Sequence, residues 1–212
     1  MDRRERTIAF INSFDKGNSP FLYELEKYSL ETDVPIIRRQ TGSLIRFLLS
    51  AHRPQAILEV GTAIGYSALL MHEAAPDAHI TTIEKYEKRI PLARENFVKA
   101  GAADSITLLE GDASEILSSL SGEYDFIFMD AAKGQYIHFL PDILRLLPKG
   151  GILLSDNVLQ DGDLIESRYA VCRRDRTIHA RMREYLYTIT HMPELQTVIL
   201  EDGDGMSLSV KL

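Results

Sequence analysis

The sequence predicts a doubly wound α/β fold: a mostly parallel sheet that ends in an antiparallel hairpin and is preceded by N-terminal helices. Three observations carry this reading. From Ala56 onward, short apolar runs alternate with helix-length amphipathic segments. The runs are almost continuously apolar, as strands are when helices cover both faces of a sheet. Near the end the alternation stops, and two strand-like segments flank a turn of Asp and Gly.

The elements follow in order. After a short helical start, Asp15-Lys-Gly-Asn-Ser-Pro20 is a loop, rich in residues that interrupt helices. Amphipathic helices are expected over Phe21–Leu30 and Ile36–Ser50, with Pro35 placed to begin the second. Strands are expected at Ala56–Val60, His79–Ile83, Ile106–Leu109, Tyr124–Met129 and Gly151–Leu154. Helices are expected between them at Gly65–Ala75, Lys88–Ala100, Ser114–Leu120 and Tyr136–Leu147. Strand, helix, strand at this spacing is the pattern of βαβ units. An Arg-rich helix over Arg173–Thr190 follows, then Thr197–Glu201 and Met206–Lys211 joined by Asp202-Gly-Asp-Gly205, a hairpin signal. The expectation is one domain over 1–212, with 1–52 a helical cap and 53–212 the core.

Composition narrows the function classes. An apolar fraction of 45% and a charged fraction of 26% are those of a globular protein. Cys172 stands alone, no run approaches the ~18 apolar residues of a membrane span, and no secretory leader pattern opens the chain. A cytoplasmic protein without membrane partners is expected. The net charge of −7 counts against wholesale coating of nucleic acid. A local exception lies between Arg168 and Arg183, where Arg168, Arg173, Arg174, Arg176, Arg181 and Arg183 meet a single acid, Asp175. That run reads either as a solvated helix face or as a phosphate-binding patch beside a site that accepts RNA.

Ligands of open α/β sheets bind beyond the carboxyl ends of the strands. After the first strand, Glu59-Val-Gly61-Thr-Ala-Ile-Gly65-Tyr-Ser67 supplies glycines for a tight turn and for close backbone approach to a ligand. The spacing differs from the dinucleotide G-x-G-x-x-G. Glu84 ends the second strand, where an acid accepts from ribose hydroxyls or stays solvated. Asp112, before Ala113, meets an adenine amino group or caps the next helix. Together these point to a cofactor bearing adenosine. The next strand ends carry Asp130-Ala-Ala-Lys133 and Asp156-Asn157. Two carboxylates and an amide oxygen form a hard-oxygen set suited to Mg²⁺ or Mn²⁺ rather than zinc. The plain alternatives are a turn and a capping loop. His52, His72, His79, His138, His179 and His191 are scattered and read as structural. Lys133, one turn past Asp130, is the candidate to take a proton from a hydroxyl, with a surface lysine as the plain alternative.

Glu59-Val-Gly-Thr-Ala-Ile-Gly-Tyr-Ser67, Asp130-Ala-Ala-Lys-Gly-Gln-Tyr136 and Asp156-Asn157-Val-Leu159 together resemble the metal-dependent O-methyltransferases of the caffeoyl-CoA and catechol type, over nearly the whole chain. Val34-Pro35-Ile36-Ile37 and the terminal Gly203-Asp-Gly205 add a finer resemblance to the bacterial tRNA 5-hydroxyuridine methyltransferases. The resemblance implies a Rossmann-like methyltransferase fold and S-adenosylmethionine contacts at Ile37, Ser67, Glu84, Asp112, Ala113 and Asp130. It implies metal ligation by Asp130, Asp156 and Asn157, and often a homodimer; Lys133 with Asp130 is the candidate catalytic pair. The acceptor it implies is the 5-hydroxyl of a wobble uridine in a tRNA anticodon loop, with Arg38, Arg39, Arg173 and Arg174 as candidate RNA contacts. A small catechol-like or hydroxycinnamoyl acceptor is the nearest alternative. A non-catalytic adenosine-cofactor binding protein is another, against which Asp130, Lys133, Asp156 and Asn157 argue together. The glycine spacing argues against a nicotinamide dehydrogenase.

Overall fold

The computed structural model describes residues 3–201 and 204–212. Helices α1 (Arg3–Asn12), α2 (Pro20–Thr32) and α3 (Arg39–His52) come first. Ser19 caps α2, its hydroxyl accepting from Leu22 N, and Pro20 enters at the first turn, where a missing N–H costs nothing. The helix expected from Pro35 begins instead at Arg39, after Arg38 in extended conformation. Ile37 is buried before the helix begins and lines a cavity, so apolarity there served a cavity wall and not a helix face.

The alternating part follows as β1 (Ala56–Val60), α4 (Tyr66–Ala74), β2 (His79–Glu84), α5 (Ile90–Lys99), β3 (Ile106–Glu110), α6 (Ala113–Ser119), β4 (Phe126–Met129), α7 (Tyr136–Leu146) and β5 (Ile152–Ser155). The Arg-rich helix α8 starts at Arg176 rather than Arg173 and runs to His191, then β6 (Leu195–Leu200) and β7 (Met206–Lys211) close the chain. The sheet order is β3-β2-β1-β4-β5-β7-β6. The first five strands pair in parallel, and β7 lies antiparallel between β5 and β6. This is the doubly wound, mostly parallel sheet with a C-terminal antiparallel hairpin that the sequence predicts. The predicted hairpin is present, while Asp202 and Gly203 of its turn lie outside the described residues.

Alternate strand residues feed opposite cores, as the period of two requires. Phe126 and Phe128 join Ile45, Leu69 and Phe97 under α2–α5. Ile127 and Met129 join Tyr136, Ile143 and Met182 under α7 and α8. Among the described residues no helix is long and apolar enough to cross a membrane.

Strand order reverses between β1 and β4, the place where such sheets open a crevice. The residue after each strand here extends the ladder by one bond. Gly111 N donates to Glu84 O (2.9 Å), Gly61 N to Ile83 O (3.0 Å), Asp130 N to Val60 O (3.0 Å) and Asp156 N to Met129 O (3.0 Å). The strand tips are therefore held by backbone, independently of any ligand.

Candidate active site

A cavity of about 560 Å³ opens along these tips. Of the residues singled out from sequence, Ile37, Arg38, Gly61, Ser67, Glu84, Asp112, Ala113, Asp130, Asp156 and Asn157 line it. Glu59, Gly65, Lys133, Arg39, Arg173 and Arg174 are not among its lining residues.

The β1–β3 side is built from satisfied groups. Gly61 has φ +107°, and a Cβ there would stand 2.2 Å from the Asp130 carbonyl oxygen, so only glycine lets the two tips approach. Gly65 acts from outside the cavity: at φ +86° it starts α4, and a Cβ would strike the Phe97 ring at 2.5 Å. The Glu84 carboxylate accepts from Ala63 N (2.8 Å), Lys85 N (2.9 Å) and Tyr86 N (2.8 Å), leaving acceptor capacity toward the cavity. Asp112 is the N-cap of α6, accepting from Ser114 N at 2.9 Å. That bond and Lys85 hold its carboxyl below the usual range. Glu59 lies beneath the cavity rather than in its wall, with no exposed surface. It accepts from Thr82 and Ser67 through one oxygen edge, while Oε1 has no partner. Burial pushes its pKa up to about 7.

The β4–β5 side is different. Pairing ends at Met129 and Ser155, so Asp130 and Asp156 follow on adjacent tips. Burial, then the charge of Asp156, pushes Asp130 up to about 7, with Lys133 acting the other way. Burial also raises Asp156, against hydrogen bonds from Asn157 N and Thr41. Asn157 sits at φ 58°, a left-handed conformation that asparagine tolerates better than most residues. The buried Tyr136 hydroxyl shares its proton between the carbonyl oxygens of Met129 (3.0 Å) and Asp156 (3.2 Å), clamping the two tips. Among the described residues no three His, Cys, Asp or Glu side chains converge as a metal cluster.

Asp204 is a member of this site that sequence reasoning passed over as a turn residue. The antiparallel register Ser155↔Ser207 brings the residues before β7 beside those after β5. Asp204 is thereby buried in the cavity wall, accepting from Lys133 Nζ at 2.9 Å. Two aspartates in a four-residue turn at a sheet end were the available signal.

The arginines divide. Arg181 donates to Gly134 O (3.2 Å), Arg183 to Glu166 O (3.4 Å) and Arg176 to Val171 O and Tyr169 O (both 3.3 Å), fastening α8 to its surroundings. Arg168, Arg173 and Arg174 stay exposed, Arg174 beside Asp175. Arg39 pairs with Glu26 at 3.3 Å. The basic run is thus partly structural and partly a solvent-facing patch.

A tip-lined cleft with a carboxylate-rich far end suits a nucleoside cofactor beside an acceptor, and known proteins agree. The O-methyltransferase family model matches residues 12–212. A catechol O-methyltransferase of Mycobacterium tuberculosis is 30% identical over 211 residues, spanning 95% of this chain and 93% of that protein. Caffeoyl-CoA O-methyltransferase 1 of Eucalyptus globulus is 31% identical over 178 residues, 79% of this chain and 71% of that one. The SAH-bound structure of a Podospora anserina methyltransferase superposes with a TM-score of 0.88 at 30% identity, covering 99% of this chain and 95% of that one. The chain belongs to the O-methyltransferase family.

Proposed function

We propose that the chain moves a methyl group from S-adenosylmethionine to a hydroxyl oxygen that has a second oxygen beside it, with Mg²⁺ or Mn²⁺ held by Asp130, Asp156 and Asn157. The acceptor in this reading is 5-hydroxyuridine at the wobble position of tRNA in the cytoplasm, and the product is 5-methoxyuridine. The observation that carries the proposal is the pair of carboxylates on adjacent tips, both pushed toward the neutral form. Such a pair fits a divalent cation, which relieves the repulsion and meets the hard-oxygen donors it prefers.

S-adenosylmethionine supplies a methyl group already activated on a sulfonium. A bound divalent cation supplies a positive charge that lowers the pKa of the acceptor hydroxyl. The chain does the rest. The Gly61–Ala63 turn and Glu84 orient the cofactor's polar groups, and the cavity wall around Ile37 and Phe139 limits water. The S–CH₃ bond breaks as the O–CH₃ bond forms in line with it, which demands orientation more than covalent chemistry. For the Lys133 amine to take the hydroxyl proton it must first be neutral, its own proton passing to the Asp204 carboxylate that accepts from Nζ at 2.9 Å.

The exposed Arg168, Arg173 and Arg174 support an RNA acceptor, and unpaired loop bases can be splayed into a pocket of this kind. The named relatives favour a second reading, a small catechol-like acceptor. Labelled methyl transfer to tRNA bearing 5-hydroxyuridine and to a simple catechol, each with Mg²⁺ and with EDTA, separates the two. Metal-dependent labelling of tRNA with weak catechol labelling is expected, and the reverse preference would move the enzyme to small molecules. EDTA-insensitive transfer would remove the metal. A homodimer belongs to the same proposal, and sedimentation showing only a 23.9 kDa species would remove it.

A further inference from the structure

Large aromatic side chains normally hide from water, yet Tyr169 leaves 82% of its surface exposed and Ile165, before it, 77%. The segment that carries Tyr169 is nonetheless fastened. Glu166 O accepts from His179 Nε2 (3.1 Å) and Arg183 (3.4 Å), and Val171 is buried. Arg176 donates to the carbonyl oxygens of Tyr169 and Val171 and places its guanidinium 5.8 Å from the Tyr169 ring centroid. The fold thus holds an aromatic ring in water, with an arginine near it and most of its surface open.

Its location narrows the use. The segment follows β5 and packs at the N-terminal end of α8, the end that also holds Gly134 through Arg181 and Ile178. Ala132 and Gln135, on either side of that turn, line the cavity. Close to Tyr169 in the chain stand the exposed Arg168, Arg173 and Arg174, Arg174 beside Asp175, in a segment that also exposes Asp163 and Glu166. The exposed arginine heads can meet backbone phosphates, and the open aromatic face beside Arg176 suits a base's π-face. A small catechol inside the cavity would need neither.

We infer that Tyr169 is a stacking platform for an unpaired base flanking the methylated nucleotide of a single-stranded RNA loop, with Arg168, Arg173 and Arg174 on the neighbouring phosphates. The inference rests on the RNA reading of the site. Losing one stacked base, ordinarily ~1–3 kcal/mol, corresponds to a roughly 5- to 150-fold loss of affinity.

The test uses a stem–loop RNA with 5-hydroxyuridine in its loop and 2-aminopurine at the adjacent position. Wild type, Y169A and Y169W are compared for KM and kcat on this RNA, for 2-aminopurine quenching, and for the S-adenosylhomocysteine dissociation constant. Y169A is expected to raise KM by that factor with kcat little changed, to abolish quenching, and to leave S-adenosylhomocysteine affinity as it was. Y169W restores both RNA readouts. Wild type that methylates the RNA while Y169A matches it in KM and quenching overturns the stacking platform and leaves the RNA reading intact. Wild type that neither binds nor methylates the RNA overturns both. Parallel loss of S-adenosylhomocysteine affinity in Y169A makes the residue structural and also overturns the inference.

Discussion

The two ends of the cavity handle carboxylates in opposite ways. On the β1–β3 side, Glu84 takes three backbone N–H groups and Asp112 caps a helix, so both acids are satisfied within the chain. On the β4–β5 side, Asp130 and Asp156 stand on adjacent tips, are desolvated, and are pushed toward protonation. Hydrogen bonds to a carboxylate stabilise its charge, whereas burial beside another carboxylate penalises it. The first end is organised before its ligand arrives. The second is left desolvated and mutually repelled, with Lys133 as a counter-charge to Asp130.

The comparison can be broken most forcefully at Lys133. K133A should cut kcat at saturating acceptor by roughly 10²–10⁴-fold, the range of a lost general base, while calorimetric S-adenosylhomocysteine affinity holds. Unchanged turnover would relocate the proton receiver. Next, D156N should lower metal-dependent transfer by roughly 100-fold or more, since even outer-sphere partners of metal sites cost about 10–100-fold. Its cofactor affinity should move by less than about threefold if the ends are independent; a matching loss of cofactor binding would show that they are not.

Glu59 sharpens the contrast from below, as a raised carboxyl on the otherwise satisfied side. Its folded pKa of about 7 lies above the ordinary carboxyl value of 4.5, so the folded state holds a proton that the unfolded chain releases. Stability therefore falls as pH rises from about 4.5 to about 7 and levels off above, a cost of about 3 kcal/mol. Urea titrations of E59Q across that window should show the slope reduced. An identical pH profile would mean that Glu59 is charged in the fold. The smallest effect is expected at Glu84. E84Q should weaken S-adenosylhomocysteine binding about tenfold, the scale of one hydrogen bond to a charged group, with metal activation unaltered.

Much of this was legible in sequence because parallel strands write themselves locally. Each buried run ends in the residue that reaches the cleft, so Gly61, Glu84, Asp112, Asp130 and Asp156 could be placed by counting from the strands. What was not legible depends on distant partners. Ile36 and Ile37 look like a helix face until the cavity that Ile37 walls is present. Nothing near Lys133 announces Asp204, which arrives only because β7 inserts beside β5. The arginines of α8 look alike along the chain, and only the positions of Gly134, Glu166 and Tyr169 decide which of them serve as fasteners.

The insertion of β7 also orders events in time. On a ribosome, β1 to β5 emerge first and can pair with one another, so the nucleoside half of the cleft can assemble while the chain is still growing. Asp204 and β7 come later, and β7 must slot between β5 and β6, whose pairing among the described residues is with β7. A nascent chain would thus hold its cofactor cleft before the partner of Lys133 exists, and chemistry would begin only once the hairpin docks.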